Sequence, residues 1–232
     1  VAERAVKDDD LRYPALERLG RLIRRHQLRH FPRDSSIAAT RVALDVLEAI
    51  KCPDAYPLSV QATIFNRALI RRALRDGFPE STEQFEEWHK EINAWGVGIG
   101  YPAKEERDHR WPGHLVAIVQ RRFLWDLSID QAERPRYRMF FPDPVILGVD
   151  ENFLRGHTPL IAPWGDLVMI YVAKPYDKTF RELQHWAVEV RTLLGVDNPT
   201  KAILASLRNE VVDDVIGGVL RRLEREAWEE TE

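Results

Sequence analysis

Three polar residues stand where chemistry could be done: Ser36, His114 and Asp126. His114 opens an apolar, β-branched run, Leu115 to Val119. A polar break, Gln120-Arg121-Arg122, and a second apolar run, Phe123-Leu124-Trp125, lead to Asp126. The pattern predicts a β-hairpin with its loop centred near Arg121. His114 then starts one strand and Asp126 ends the other. The two fall on one face as direct or diagonal neighbours. A carboxylate beside an imidazole fixes its tautomer and stabilises its protonated form, which a general base serving a nucleophile requires. The plainer reading is a His and an Asp that flank a core hairpin.

The nucleophile candidate lies upstream. Ser36 falls in the first turn of a predicted helix whose apolar positions are Ile37, Val42, Leu44, Val46, Leu47 and Ile50, with Asp34 or Ser35 as N-cap. Unpaired backbone N–H groups and the positive end of the helix dipole point outward there. Such a place favours a thiolate and can hold an oxyanion. A capping role for the serine is the alternative. No Gly-x-Ser-x-Gly elbow exists, which counts against an ordinary serine hydrolase.

Other chemistry-bearing residues carry less. Cys52 follows the helix C-terminus, lacks a thiolate-stabilising environment and reads as structural. His26 and His30 stand four apart, yet no Cys or carboxylate at matching spacing completes a metal site. His109, His114 and His157 show no ligand spacing either, so no metal and no cofactor is expected. The glycines of Trp95-Gly-Val-Gly-Ile-Gly-Tyr101 do not form a dinucleotide fingerprint. Asn66 and Gln131 lie at strand ends near the expected site, where substrate contacts or turn and edge roles are both open.

Positioning these residues takes a succession of elements. Leu11, Leu16, Leu19, Leu22, Ile23 and Leu28 predict a helix over 8–31, with Arg18, Arg21, Arg24, Arg25 and Arg29 on a solvated face or facing an acidic partner. The Ser36 helix follows, and then a strand over 57–66 covered on both faces. Residues 67–93 are mixed and polar, with a short helix from Ser81 through Phe85, Trp88 and Ile92. Trp95–Tyr101 is strand-like. Beyond the hairpin come a loop from Gln131 to Pro135, short strands at Tyr137–Phe141 and Val145–Leu147, and a last hairpin. That hairpin pairs Leu160-Ile161 with Leu167–Ala173 across a turn at Pro163–Asp166. Helices are expected at 178–194 and 199–230, with Gly217-Gly218 a break. The order predicts an α+β fold with a mostly antiparallel sheet. It reads as one domain over 1–232: an N-terminal helical segment (1–33), a core (34–175) and a C-terminal helical segment (176–232).

The 34 basic and 37 acidic residues give a net charge of -3, so no nucleic-acid partner is expected. No apolar run is long enough to span a membrane. The charged first residues and the absence of an apolar run after them argue against a signal peptide. One cysteine cannot form an internal disulfide. A cytoplasmic, reducing compartment is therefore the expectation.

Taken together, two stretches resemble the transglutaminase-like branch of the papain-like superfamily. Ser36-Ile-Ala-Ala-Thr-Arg-Val-Ala-Leu-Asp-Val-Leu-Glu-Ala-Ile-Lys-Cys-Pro53 is similar to that family's Cys helix. Gly113-His114-Leu-Val-Ala-Ile-Val and Leu124-Trp125-Asp126 are similar to its His and Asp strands. The resemblance covers about residues 34–130 and implies a helix bearing the nucleophile, packed on an antiparallel sheet that carries His and Asp. One departure is plain: the position of the family's Cys holds Ser36. An engineered Cys-to-Ser change, a natural serine variant and an inactive relative that only binds are the three accounts. A hydroxyl is a far weaker nucleophile than a thiol near neutral pH. The resemblance implies acyl transfer from a peptide, protein or small amide or thioester, with His114 as base and Asp126 orienting it. The Ser36 N–H would be one oxyanion donor and a side chain would supply another; Trp111 is the candidate for that substrate contact, with packing before the Pro-Gly turn as its plainer role.

Overall fold

A computed structural model describes residues 13–29, 36–49, 52, 54–100, 114–135, 140–141 and 144–175. The helices expected at 178–194 and 199–230 lie outside these residues, as does most of the strand expected at 137–141. The chain is a mixture of helices and antiparallel strands. Its described residues fall into two compact units, the first drawn from those between 13 and 57 and between 116 and 148, the second from 58–100, 114–115 and 149–175.

In the first unit, helix α1 (Tyr13–Gln27) and helix α2 (Ser36–Ala49) pack together. The hairpin of β3 (His114–Val119), which enters from the second unit, and β4 (Phe123–Asp126) is paired Ala117↔Trp125, Ile118↔Leu124 and Val119↔Phe123. β5 (Val145–Gly148) adds to β4 antiparallel, with Asp126 opposite Val145. The loop is as expected, and Gln120 and Arg121 both adopt a left-handed backbone with φ 54°. Neither is glycine, so each is disfavoured by about 1–2 kcal/mol. Hydrogen bonds from Arg122 N to Val119 O and from Gln120 N to Asp54 O hold the turn.

The core of this unit is one apolar cluster. Leu19, Leu22 and Ile23 of α1 and Ala39, Val42, Ala43, Val46 and Leu47 of α2 pack with Ala117, Val119, Phe123 and Trp125. The last four all lie on one face of the hairpin, because strand side chains alternate and paired residues share a face. Gly20 lets α1 approach this closely: a Cβ there would come within 2.5 Å of Pro144 Cγ and 2.9 Å of Trp125 Nε1.

In the second unit, β1 (Ala55–Asn66, continuing from the first) pairs with β2 (Gly96–Ile99) on part of its length and with β7 (Leu167–Ala173). β7 makes the predicted terminal hairpin with β6 (Leu160–Trp164), turning at Gly165 and Asp166. Helix α3 (Arg67–Asp76) was not expected within the mixed, polar stretch. It buries Leu69 and Ala73, four apart, against Trp88 of α4 (Thr82–Ile92), which begins at the predicted Ser81 cap. Arg72 lies over the Trp88 ring, 5.1 Å from its centroid. A short helix, α5 (Glu151–Leu154), precedes β6.

Candidate functional site

Ser36 is the first residue of α2, at the helix tip where backbone N–H groups lack intrahelical partners. It is buried at 5% exposure. The expected caps Asp34 and Ser35 lie outside the described residues, as does Trp111. His114 is the first residue of β3 and is 1% exposed; Asp126 is the last of β4 and is 0% exposed. Imidazoles and carboxylates are seldom buried so fully without a partner. One Asp126 contact is local: its Oδ1 accepts from Ser128 N at 3.0 Å.

The hairpin register decides which way these groups face. One step beyond Ala117↔Trp125, Val116 comes beside Asp126. Alternation along β3 gives His114 the side of Val116. Alternation along β4 likewise puts Asp126 on the face opposite Trp125. That face is the one opposite Ala117, Val119, Phe123 and Trp125, the residues on which α2 packs. The body of α2 thus covers the back of the strand that carries Asp126.

Several residues find structural employment. The side chain of Asn66 accepts from Leu69 N at 3.0 Å and from Trp95 N at 3.1 Å, and its Nδ2 donates to Asn93 O at 2.6 Å. It caps α3 and ties β1 to the loop before β2, so the turn role applies. Gln131 belongs to a 3-10 helix (Ile129–Ala132), in place of the start of the expected loop. Its backbone donates to Ser128 O, and its carbonyl accepts from Arg134 Nη1. Cys52 is half-buried, and burial, assisted by the charge of Asp54, pushes its thiol from the ordinary 9.0 up to about 11. A thiol so held is little ionised near neutral pH. His26 is half-buried on α1, and His30 and His109 lie outside the described residues. Among the described residues no group of three His, Cys, Asp or Glu side chains could hold a metal ion. None of their helices is long and apolar enough to cross a membrane.

Three further residues escaped sequence reasoning. Arg24, expected on the solvated arginine face, is 0% exposed. Its Nη2 pairs with Asp130 Oδ1 at 2.6 Å, and its Nη1 donates to Gln27. Its neighbours Arg18, Arg21, Arg25 and Arg29 are exposed, as expected. The signal was present: Gly20, Arg24 and Gln27 follow one another at helical spacing, with no charge but that of Arg24. This ion pair fastens α1 to the segment just past Asp126. Gly100 is the second. With φ +80°, a Cβ there would meet Val60 O at 2.5 Å, His114 N at 3.1 Å and His114 Cβ at 3.2 Å. Only glycine lets the end of β2 lie against the first residue of β3. Ser128 is the third. It is 0% exposed, and its Oγ has no hydrogen-bond partner among the described residues. A buried hydroxyl left unsatisfied costs about 1–3 kcal/mol.

No family model, curated protein or solved structure matches the chain. The case for chemistry therefore stands on these residues alone.

Proposed function

We propose that this chain carries an acyl-transfer site of the transglutaminase-like kind, with position 36 as nucleophile, His114 as base and Asp126 as the group that orients the base. The observation that carries the reading is burial: three polar side chains, each at the tip of its element, are 5%, 1% and 0% exposed. Lengths support it within the first unit. Cys52 N donates to Leu47 O and Gln120 N to Asp54 O, so α2 ends close to the hairpin loop. Fourteen helical residues rise about 21 Å. The six residues of β3 span about 20 Å. Laid along the strands, α2 would carry Ser36 back to the open end of the hairpin, where Asp126 and Ser128 lie.

In the proposed reaction, the group at position 36 attacks the carbonyl carbon of an amide, ester or thioester, and its proton passes to His114. The tetrahedral intermediate collapses, the bond to the leaving group breaks, and His114 gives that group the proton. Water or an amine then attacks the acyl-enzyme, His114 takes a proton from it, and position 36 is released with its proton restored. A hydroxyl performs the first step slowly, so the chain as it stands is a weak catalyst.

The second reading is a binding module on the same fold. Two observations favour it: the serine itself, and the packing of α2 on the hairpin face away from Asp126. The experiment that separates them is Ser36→Cys, mixed with p-nitrophenyl acetate. A stoichiometric burst of p-nitrophenolate, lost in Ser36→Cys/His114→Ala, supports the enzyme. A burst no larger in Ser36→Cys than in the unaltered chain leaves the binding module.

A further inference from the structure

We propose that the hydroxyl of Ser128 is a substrate contact of this site, a buried donor reserved for the carbonyl oxygen of the acyl group; the proposal rests on the acyl-transfer reading above. Ser128 belongs to an unbroken buried stretch from Phe123 to Asp130. Its backbone N–H is committed to Asp126 Oδ1 at 3.0 Å, which anchors the residue directly to the carboxylate assigned to orient the base. Two residues on, Asp130 is held by the buried guanidinium of Arg24. The segment is thus pinned on both sides of Ser128. Its hydroxyl, fully enclosed, is nevertheless without a hydrogen-bond partner among the described residues.

Among the described residues no protein group engages that hydroxyl. Alanine would fill nearly the same space and leave no polar atom unsatisfied, and buried polar groups in native proteins are overwhelmingly paired. A rigidly held donor beside the candidate catalytic carboxylate is the arrangement that transition-state stabilisation needs, since it is oriented before charge develops. The partner that fits is an acceptor supplied by the ligand. In this chemistry that is the acyl carbonyl oxygen, which becomes an oxyanion on attack. The family resemblance implies one oxyanion donor in the backbone of position 36 and another from a side chain; Ser128 supplies such a side-chain donor from the same unit as position 36.

The proposal separates stability from activity in opposite directions, and this makes it testable. On the Ser36→Cys background, Ser128→Ala and Ser128→Thr are compared with the parent in the full chain. Three quantities are measured: the thermal midpoint, the pH profile of iodoacetamide alkylation, and acylation by p-nitrophenyl acetate. In acylation the thiolate sulfur bonds to the acetyl carbon and p-nitrophenolate leaves with the electron pair. Ser128→Ala is expected to melt at the parental temperature or about 2–4 °C above it. Its alkylation profile should match the parent, because the thiol and His114 are untouched. Its acylation rate at saturating ester should fall at least about tenfold, and Ser128→Thr, which keeps the hydroxyl, should recover most of the loss. A lower melting temperature, or failure to fold, overturns the proposal, because the hydroxyl is then held by an internal partner or an enclosed water. Parental acylation by Ser128→Ala overturns it while leaving the acyl-transfer reading intact. If the parent itself shows no acylation that depends on His114, the reading fails and this contact fails with it.

Discussion

Replacing Ser36 by cysteine gives the sharpest test of the site, because the chain provides its own internal standard. Cys52 is the one thiol in the sequence, and its pKa of about 11 makes it a poor nucleophile near neutrality. At pH 7.5 a group of that pKa is ~0.03% thiolate, by the ordinary ionisation relation. If the helix tip and His114 hold the introduced thiol near pKa ~6, within the range known for activated cysteines, it is almost fully ionised at that pH. The advantage in thiolate population is then ~3,000-fold. Each thiolate is less nucleophilic as its pKa falls, by ~200-fold over five pKa units at a Brønsted slope of ~0.45. The net expectation is iodoacetamide alkylation ~15-fold faster at position 36 than at Cys52.

That ratio alone decides nothing. An ordinary thiol of pKa ~8.5 at position 36 would have ~300 times the thiolate of Cys52, each ~13 times less reactive, for a ratio of ~23. The pH dependence separates the cases. At pH 6 the activated thiol is still half ionised while the Cys52 thiolate falls ~30-fold, so the ratio climbs to ~250. For the ordinary thiol both populations fall together and the ratio stays near ~23. The assay is alkylation at the two positions, resolved by peptide mass, from pH 6 to 7.5. The site predicts a ratio that rises steeply as the pH drops, and flattens in Ser36→Cys/His114→Ala. A flat ratio in Ser36→Cys itself refutes the activation.

Cys52 also predicts an alkaline weakness. Its folded pKa lies above the unfolded one, so its contribution is present in full below about pH 9 and lost as pH rises through about 11. The difference from 9.0 to about 11 corresponds to at most about 2.7 kcal/mol, at 1.36 kcal/mol per pKa unit. Urea unfolding at pH 8 and pH 10.5 should show the loss, and Cys52→Ala should remove that part of it. Asp130→Ala leaves the Arg24 guanidinium enclosed without its carboxylate and should destabilise by about 3–5 kcal/mol in urea; Arg24→Met added to it should restore much of this. Asn66→Ala removes the cap of α3 and the acceptor of Trp95 N, for about 2 kcal/mol by the same measurement. Gly100→Ala forces a Cβ to within 2.5 Å of Val60 O and presses on the His114 backbone. On the Ser36→Cys background it should weaken the pH dependence of alkylation in the folded protein, read beside a circular-dichroism melt.

What could be read from the sequence follows from which forces are local. The hairpin at 114–126 was legible because two short apolar runs, rich in β-branched and aromatic residues, flank a polar break. Its ends fall at His114 and Asp126 in the structure as in the pattern. The Ser36 helix and the Ser81 cap were legible for the same reason: capping and helical periodicity act over a few residues. Helix α3 was hidden by its arginines. Arg67, Arg71, Arg72 and Arg75 outnumber the buried Leu69 and Ala73, and the element depends on Asn66 and on Trp88 from another helix. Arg24, Gly100 and Ser128 were invisible because burial of a charge, a close backbone approach and an enclosed hydroxyl are tertiary facts. The pairing of Arg24 with Asp130 joins residues 106 apart in the chain.

The hairpin faces hold the deepest difference between pattern and structure. All ten residues of His114–Val119 and Phe123–Asp126 are buried, so neither face carries the polar alternation that would reveal which one a helix covers. The structure settles it: α1 and α2 take the face of Ala117, Val119, Phe123 and Trp125, and Asp126 takes the other. A nucleophile on α2 can therefore not reach Asp126's side across the sheet. It has to reach past the end of the strands, which only the first turn of the helix can do. The sequence of that turn suits the task. Ser36, Ala38, Ala39 and Thr40 are all buried and none carries a side chain larger than threonine, while the larger Ile37 is only half-buried. Small buried side chains let a helix tip approach its surroundings closely, whereas larger ones would hold it off. The first unit's share of the proposed site is accordingly one of edges, a helix tip and the end of β4, and its geometry depends on the Arg24–Asp130 pair that fixes the segment just beyond β4.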